Sequence, residues 1–378
     1  MRILMINKRP PYRNTGAEKV LWGIARKLVE AGHSVTIFCP TPADRESETH
    51  PEIDFRYVST GGGPDRSMIE FFLKGPRTYP SVYRDVSPDL VYDNPSPFPF
   101  HLAHLYGDAQ RITKLHGIYR RLAFSCKDHP LVKVGTAVGD ELYRLFRGEV
   151  ITTNSLSTAH RARQVFTTDS NRIIANPIGI DAAEYTFSIR SDEKHVLSLS
   201  ELRTRKQINV LLRAWKYVES AHPDARLTVA GDGQQRDSLE RLATDLDLET
   251  VTFEGWVTEE RKHELLESAA IYALPTLYEG FGLANLEAMA SGCAVVSTDT
   301  WGVRDYLRDG ENGRLVPTKD PPALATVIDS LLSEPAQIER LATAGRETAA
   351  EYSMAESITR EVRLLEQIHE DGDMFAEA

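Results

Sequence analysis

Cysteine is scarce: three residues in 378, at Cys39, Cys126 and Cys293. Scattered and odd in number, they exclude a disulfide framework and a metal knuckle, and they fit a reducing cytoplasm. No segment approaches the roughly 18–20 apolar residues that cross a bilayer. No signal peptide is expected, because MRILMINKRP runs directly into a short strand. A G-x-G-x-x-G run is also missing, so the dinucleotide fingerprint is absent. What remains is an ordinary globular composition, 41% hydrophobic and 26% charged, in a chain long enough for two domains.

Positive charge is thin in the second half. Residues 186–378 hold 20 Lys and Arg against 35 Asp and Glu, whereas residues 1–185 hold 24 against 20. The acidic half argues against a nucleic-acid partner. Between 111 and 135 the balance reverses: Arg111, Lys114, Arg120, Arg121, Lys127 and Lys133 face only Asp128. Such a run beside Ile118, Tyr119, Leu122 and Phe124 suits an anionic membrane surface or a phosphate-bearing acceptor. A solvated face is the competing reading.

The most informative stretch is PTLYEGFGLANLEAMASG, from Pro275 to Gly292. The apolar run Ala269–Leu274 predicts a buried strand. A turn, Glu279-Gly280-Phe281-Gly282, leads into a short helix that Gly292 closes. This order sets free backbone N–H groups and a helix N-terminus at one spot, which attracts phosphate. Leu283, Leu286 and Ala290 share a helix face, and Glu287 lies within about 50° of its centre. A carboxylate there needs hydrogen bonds. With Glu279 near the helix mouth, two carboxylates flank an anion site, suited to a ligand carrying hydroxyls and phosphates. The competing reading is a half-exposed Glu287 and a solvated Glu279.

Upstream, Arg2–Asn7, a loop over Lys8–Thr15, a helix from Gly16 and a strand over Val35–Phe38 form a βαβ unit, hence a parallel sheet. Strands are also predicted at Pro88–Tyr92, Ile112–Leu115, Glu149–Thr152 and Arg172–Ile174. His116-Gly117 stands at a strand's carboxyl end, where an open α/β sheet binds ligands. A second α/β domain begins near His195, with glycine turns at Gly231-Asp232-Gly233 and Gly255-Trp256 after strands. Ser353-Met354-Ala355-Glu356 is a capping box that opens a last helix.

Glu279 and Glu287, with Gly-Phe-Gly in the first half of the interval, resemble the paired-glutamate motif of retaining family 4 glycosyltransferases. Ala294–Asp299, Gly302, Asp305 and Asp309-Gly310-Glu311-Asn312-Gly313 continue the register, as do Gly32-His33-Ser34-Val35 and Asn176–Asp181. The resemblance implies a GT-B fold: two Rossmann-like parallel-sheet α/β domains facing across a cleft. It places an acceptor-side domain at 1–185, a nucleotide-sugar domain at 186–352, a helix at 353–370 crossing back to the first domain, and a disordered tail at 371–378.

The implied reaction moves a hexose-type sugar from a nucleotide diphosphate sugar to a hydroxyl of a glycan, glycolipid or lipid-linked saccharide. It retains anomeric configuration and needs no metal and no permanent cofactor. Glu279 is expected to hold sugar hydroxyls, Glu287 ribose hydroxyls, and His116 the donor sugar across the cleft. Lys206, with Arg203 or Arg205, and the backbone of Gly280, Phe281, Gly282 and Leu283 would neutralise the departing diphosphate. Gly231 and Gly233 match donor-side positions, and Gly16 and Thr15 stand where many relatives carry two glycines. Two departures are plain: Glu201 occupies the place of the family's arginine, and Gln207 that of the glycine after lysine. The first keeps open a silent nucleotide-sugar-binding partner subunit. An epimerase or phosphorylase on a similar scaffold is a third reading. The implied location is cytoplasmic, at the inner membrane face if the basic run touches lipid.

Overall fold

The computed structural model describes residues 1–10, 16–41, 51–61, 64–94, 107–117, 150–165 and 172–371. The described residues form two compact units, one from residues up to 178 together with 354–371, the other from 179–353.

In the first unit the strands β1 (Arg2–Asn7), β2 (Ser34–Pro40), β3 (Ile53–Val58), β4 (Leu90–Asn94), β5 (Gln110–Leu115), β6 (Val150–Thr153) and β7 (Ile173–Ala175) form one parallel sheet. Their order is β3-β2-β1-β4-β5-β6-β7. β1 reads RILMIN and is buried along almost its whole length, as a parallel strand covered on both faces must be. Helix α1 (Gly16–Glu30) turns Val20, Leu21, Ile24 and Leu28 inward. β3 and helix α2 (Pro64–Val86) lie in a stretch that the sequence reading leaves unassigned. Pro76 and Pro80 inside α2 remove backbone donors and disguise its helical period. Helix α3 (Leu156–Val165) follows β6.

The second unit holds β8 (His195–Leu199), β9 (Arg226–Ala230), β10 (Val251–Gly255), β11 (Ile271–Leu274), β12 (Ala294–Thr298) and β13 (Arg314–Val316), in parallel order β10-β9-β8-β11-β12-β13. Its helices are α4 (Ile208–Ala221), α5 (Arg236–Asp245), α6 (Glu259–Ser268), α7 (Leu283–Ser291), α8 (Pro321–Ser333) and α9 (Pro335–Ala350). The last helix, α10 (Met354–Asp371), belongs to the first unit. It packs on α1 where Gly23 has no side chain; a Cβ there would overlap Ile358. α10 includes Asp371, which the sequence reading assigns to the tail; residues 372–378 lie outside the described residues.

Strand order reverses between β1 and β4 in one sheet and between β8 and β11 in the other. The carboxyl ends at such switch points are where open α/β sheets bind ligands. Asn7 and Asn94 end β1 and β4, and the loops after β8 and β11 carry Lys206 and Glu279.

Candidate active site

In the second unit, loops from several strand ends are tied into one assembly. The Ser200 N–H donates to the Ala230 carbonyl at 3.0 Å, and the Leu202 N–H to that of Asp232 at 2.9 Å. Gly231 and Gly233 have φ of 125° and 155°. A Cβ on either would overlap the backbone of Ser200 or Leu202, so this approach needs glycine. The Arg205 carbonyl accepts from the Leu277 N–H at 2.7 Å and from Thr276 Oγ1 at 3.1 Å. The loop after β8 is thereby fastened to the loop after β11.

Glu279 sits at this junction, 8% exposed rather than solvated. Lys206 Nζ and Arg205 Nη1, the latter at 3.3 Å, both donate to its Oε1. No described donor reaches Oε2, and that oxygen is not sealed from solvent. Burial would push the carboxyl pKa up, but Lys206 and then Arg205 outweigh burial and hold it below the usual glutamate value. For Lys206 burial wins, and its pKa falls below the usual lysine value. Lys206 comes from a single 3₁₀ turn, Thr204–Lys206. That turn ends at Gln207 in the left-handed conformation, φ 55°. Where the family carries glycine the backbone keeps a glycine's shape, and Gln207 Nε2 donates to the Thr204 carbonyl at 2.9 Å.

Arg203 and Arg205 separate here. Arg203 Nε pairs with Glu201 Oε1 at 2.7 Å, so the acid in the family arginine's place neutralises its own neighbour. Arg205 is the one that meets Glu279.

Helix α7 starts beside this pair. Gly282, at φ 98°, caps it, and the Asn285 N–H turns back to the Gly282 carbonyl at 3.0 Å. The first-turn amides of Leu283 and Ala284 have no acceptor within the helix, by the geometry of a helix start. Gly302 packs against the Glu279 and Gly280 carbonyls, where a Cβ would not fit. The expectation for Phe281 concerns its backbone. Its ring is 2% exposed and clusters with Tyr306 and Tyr352, centroids 5.2 and 5.4 Å away, so only its backbone is free to meet a ligand. Tyr306 in turn donates to the Gly282 carbonyl at 3.1 Å and accepts from Asn285 Nδ2 at 3.0 Å.

Glu287 lies one helical turn farther on, about 6 Å along the axis from Leu283 at 1.5 Å per residue. It is half-buried rather than core-facing, and its Oε1 takes a hydrogen bond from Lys262 Nζ at 3.2 Å. Lys262 also reaches Glu259 Oε2 at 2.8 Å and the Tyr185 hydroxyl at 3.4 Å. Burial would lower the Lys262 pKa, but Glu287 and Glu259 more than reverse that and raise it. Tyr185 stacks on His263 at 4.7 Å. The sequence reading missed Lys262, which sits in EERKHELLES, a charged helix with nothing to mark one lysine as buried.

In the first unit, His116 is half-buried beyond the end of β5, with Nε2 2.7 Å from Asn94 Oδ1. Burial first, then the cations Lys114 and Lys8, push its pKa down to about 3. Gly16 opens α1; Thr15 lies outside the described residues. The basic run is corrected at its start. Arg111 and Lys114 are buried on β5, 7% and 1% exposed, and offer no charge to a surface. Arg120, Arg121, Lys127 and Lys133 lie outside the described residues. Among the described residues no helix is long and apolar enough to cross a membrane, and no three acidic, histidine or cysteine side chains are grouped to hold a metal ion.

Two Rossmann-like parallel sheets, the second with glycine-bound loops at its carboxyl edge, define a GT-B glycosyltransferase fold. Sucrose-phosphate synthase from Thermosynechococcus elongatus superposes with a TM-score of 0.84 at 20% identity, covering 97% of this chain and 98% of that one. HepE from Anabaena, in complex with UDP and glucose, gives 0.77 at 18% identity over 97% and 99%. By sequence, residues 14–184 match the family described as Glycosyltransferase Family 4, and 182–348 match Glycosyl transferases group 1. Glycogen synthase of Mycobacterium tuberculosis is 26% identical over 92% of this chain and 90% of its own length. The phosphatidyl-myo-inositol mannosyltransferase of the same species is 35% identical over 52% and 54%. The chain belongs to glycosyltransferase family 4, and it is a glycosyltransferase enzyme.

Proposed function

We propose that this enzyme transfers a hexose-type sugar from a nucleoside diphosphate sugar to a hydroxyl of a glycan, glycolipid or lipid-linked saccharide, with retention and without a metal. The observation that carries this reading is the half-satisfied carboxylate of Glu279. Two cations hold Oε1, and Oε2 is left to accept hydrogen bonds from sugar hydroxyls. Ionised and fixed beside the mouth of α7, it orients the sugar while its own charge is already balanced. As the glycosidic bond breaks, negative charge grows on the diphosphate. The first-turn amides of α7 and the side chains of Lys206 and Arg205 supply the compensating field. Glu287, steadied by Lys262, is assigned the ribose hydroxyls, and His116 a hydroxyl of the sugar. Gly231 and Gly233 let the adjoining backbone close in on the donor.

The HepE neighbour is also solved in complex with UDP-glucose, which supports a nucleoside diphosphate sugar as donor and makes uridine the first base to try. The test is transfer and hydrolysis with uridine, guanosine and adenosine diphosphate sugars, in wild type and Glu279→Gln. We expect one donor to be consumed and the variant to lose at least about 100-fold in rate, the usual scale for one electrostatic contact at a reacting centre. Equal rates would remove Glu279 from the site. A second reading, a silent donor-binding subunit, draws on Glu201 pairing with Arg203. Donor binding in calorimetry with no turnover on any acceptor would favour it.

A further inference from the structure

In the first unit, polar side chains run side by side across the carboxyl ends of β1, β4 and β5. The β1–β4 register sets Asn7 opposite Asn94. Lys114 lies near the carboxyl end of β5, and His116 follows directly after the strand. Asn7 and Asn94 are 1% and 3% exposed, so their amides are oriented by protein atoms rather than by solvent.

The hydrogen bonds follow from one fixed end. The Arg9 carbonyl can only accept, so the Asn7 atom 2.6 Å from it is Nδ2. Asn7 Oδ1 is then the atom that accepts from Asn94 Nδ2 at 3.1 Å. Asn94 must therefore turn Oδ1 toward His116, whose Nε2 is 2.7 Å away. An amide oxygen donates nothing, so that imidazole nitrogen carries the hydrogen. Both amide orientations and the hydrogen on Nε2 are assigned by this donor–acceptor chain, starting from a backbone oxygen.

We propose that Asn7 and Asn94 are positioning residues that hold His116 as the neutral Nε2–H tautomer, with Nδ1 left as a lone-pair acceptor for a substrate hydroxyl. Among the described residues Nδ1 has no protein partner. The charged groups around the ring are Lys114 near the end of β5, Lys8 in the turn after β1, and Glu361 on α10. Burial and the two lysines oppose an imidazolium, and Glu361 only partly offsets them. A neutral ring whose Nδ1 bears no hydrogen repels a phosphate oxygen and welcomes an O–H. His116 therefore recognises the sugar side of a nucleoside diphosphate sugar and not its phosphates. The substrate class rests on the reading under Proposed function; the tautomer does not.

Nitrogen NMR of the full chain labelled with ¹⁵N-histidine, with His116→Gln to assign the resonances, tests this in the free protein. We expect Nε2 in the protonated range and Nδ1 in the bare range, unchanged from about pH 8 to about pH 5.5, across which an ordinary histidine titrates. Asn94→Asp replaces the amide with a carboxylate, and should bring the His116 midpoint up toward neutral pH. Asn7→Asp removes the Nδ2 anchor on Arg9 and should give a mixture of tautomers. An Nδ1–H signal in wild type, or titration near the ordinary histidine value, would overturn the proposal. If either variant fails to fold, the wild-type spectrum decides alone. Because the spectrum needs no donor, failure of the transferase reading would leave it unchanged.

Discussion

Both units bury a lysine–glutamate pair, and the two pairs are built differently. In the first, Glu361 and Lys114 are each 1% exposed. Glu361 Oε1 accepts from the Tyr92 hydroxyl at 2.9 Å and Thr152 Oγ1 at 2.7 Å; Oε2 accepts from Lys114 Nζ at 2.8 Å and Asn176 Nδ2 at 2.6 Å. Every direction of that carboxylate is filled from within, so it serves to seat α10 on the sheet. In the second pair, Glu279 and Lys206 are about ten times more exposed, and both cations crowd one oxygen. The first carboxylate is satisfied on both oxygens, whereas the second is satisfied on one and keeps Oε2 open.

Removing one lysine from each pair is the strongest way to break this contrast. Lys114→Met strands Glu361 among neutral donors, and a loss of about 3–5 kcal/mol in denaturant unfolding is expected. Adding Glu361→Leu should recover most of it, since a well-packed apolar pair avoids the charge. Lys206→Met leaves Glu279 with Arg205 and some water, so we expect a stability loss below about 2 kcal/mol, with transfer reduced at least about 100-fold. Equal stability losses in the two variants would erase the distinction.

Acid should reveal a difference as well. The His116 pKa is about 3 in the folded state, below the ordinary value near 6.5. Between those values the unfolded chain binds the extra proton, so stability falls as pH drops through this window. Glu361 and Glu279 are depressed below the usual glutamate value, Glu361 because Lys114 and its other donors outweigh burial. Their contribution is present above about pH 4.3 and is lost as pH falls through their folded values. His116→Gln should flatten unfolding free energy against pH from about 6.5 down to about 3, leaving below about pH 4.3 only the loss due to the glutamates. A slope that the substitution does not alter would mean another group titrates there.

The smallest effect is expected at Gln207. A left-handed φ of 55° costs a side-chain-bearing residue about 1–2 kcal/mol, part of which its bond to the Thr204 carbonyl returns. Gln207→Gly should raise stability by no more than about 1 kcal/mol, read as a small increase in melting temperature. A loss would show that the side-chain bond matters more than the backbone strain.

Local features were legible and distant pairings were not. The buried run ending at Leu274, the glycine turn and the Gly292 stop identify β11 and α7 because strand, turn and helix cap are chosen by neighbouring residues. The same holds for β1, α1 and β2. Lys114, by contrast, sits in a basic run and reads as surface charge; its partner Glu361 is 247 residues away, one more acid in the charged sequence of an amphipathic helix. Lys262 was hidden likewise, 25 residues from Glu287.

By itself the sequence determined many of the strands and helices, β3 and α2 excepted, the parallel α/β class, and the turn that brings Glu279 to a helix mouth, since these depend on periodicity and on glycine's backbone freedom. Only the tertiary structure decided which charges meet: Arg205 rather than Arg203 at Glu279, Lys262 at Glu287, Lys114 withdrawn beneath α10. A side chain's charge is written at its own position, but its partner is set by strand order and burial, which bring together residues that the chain keeps far apart.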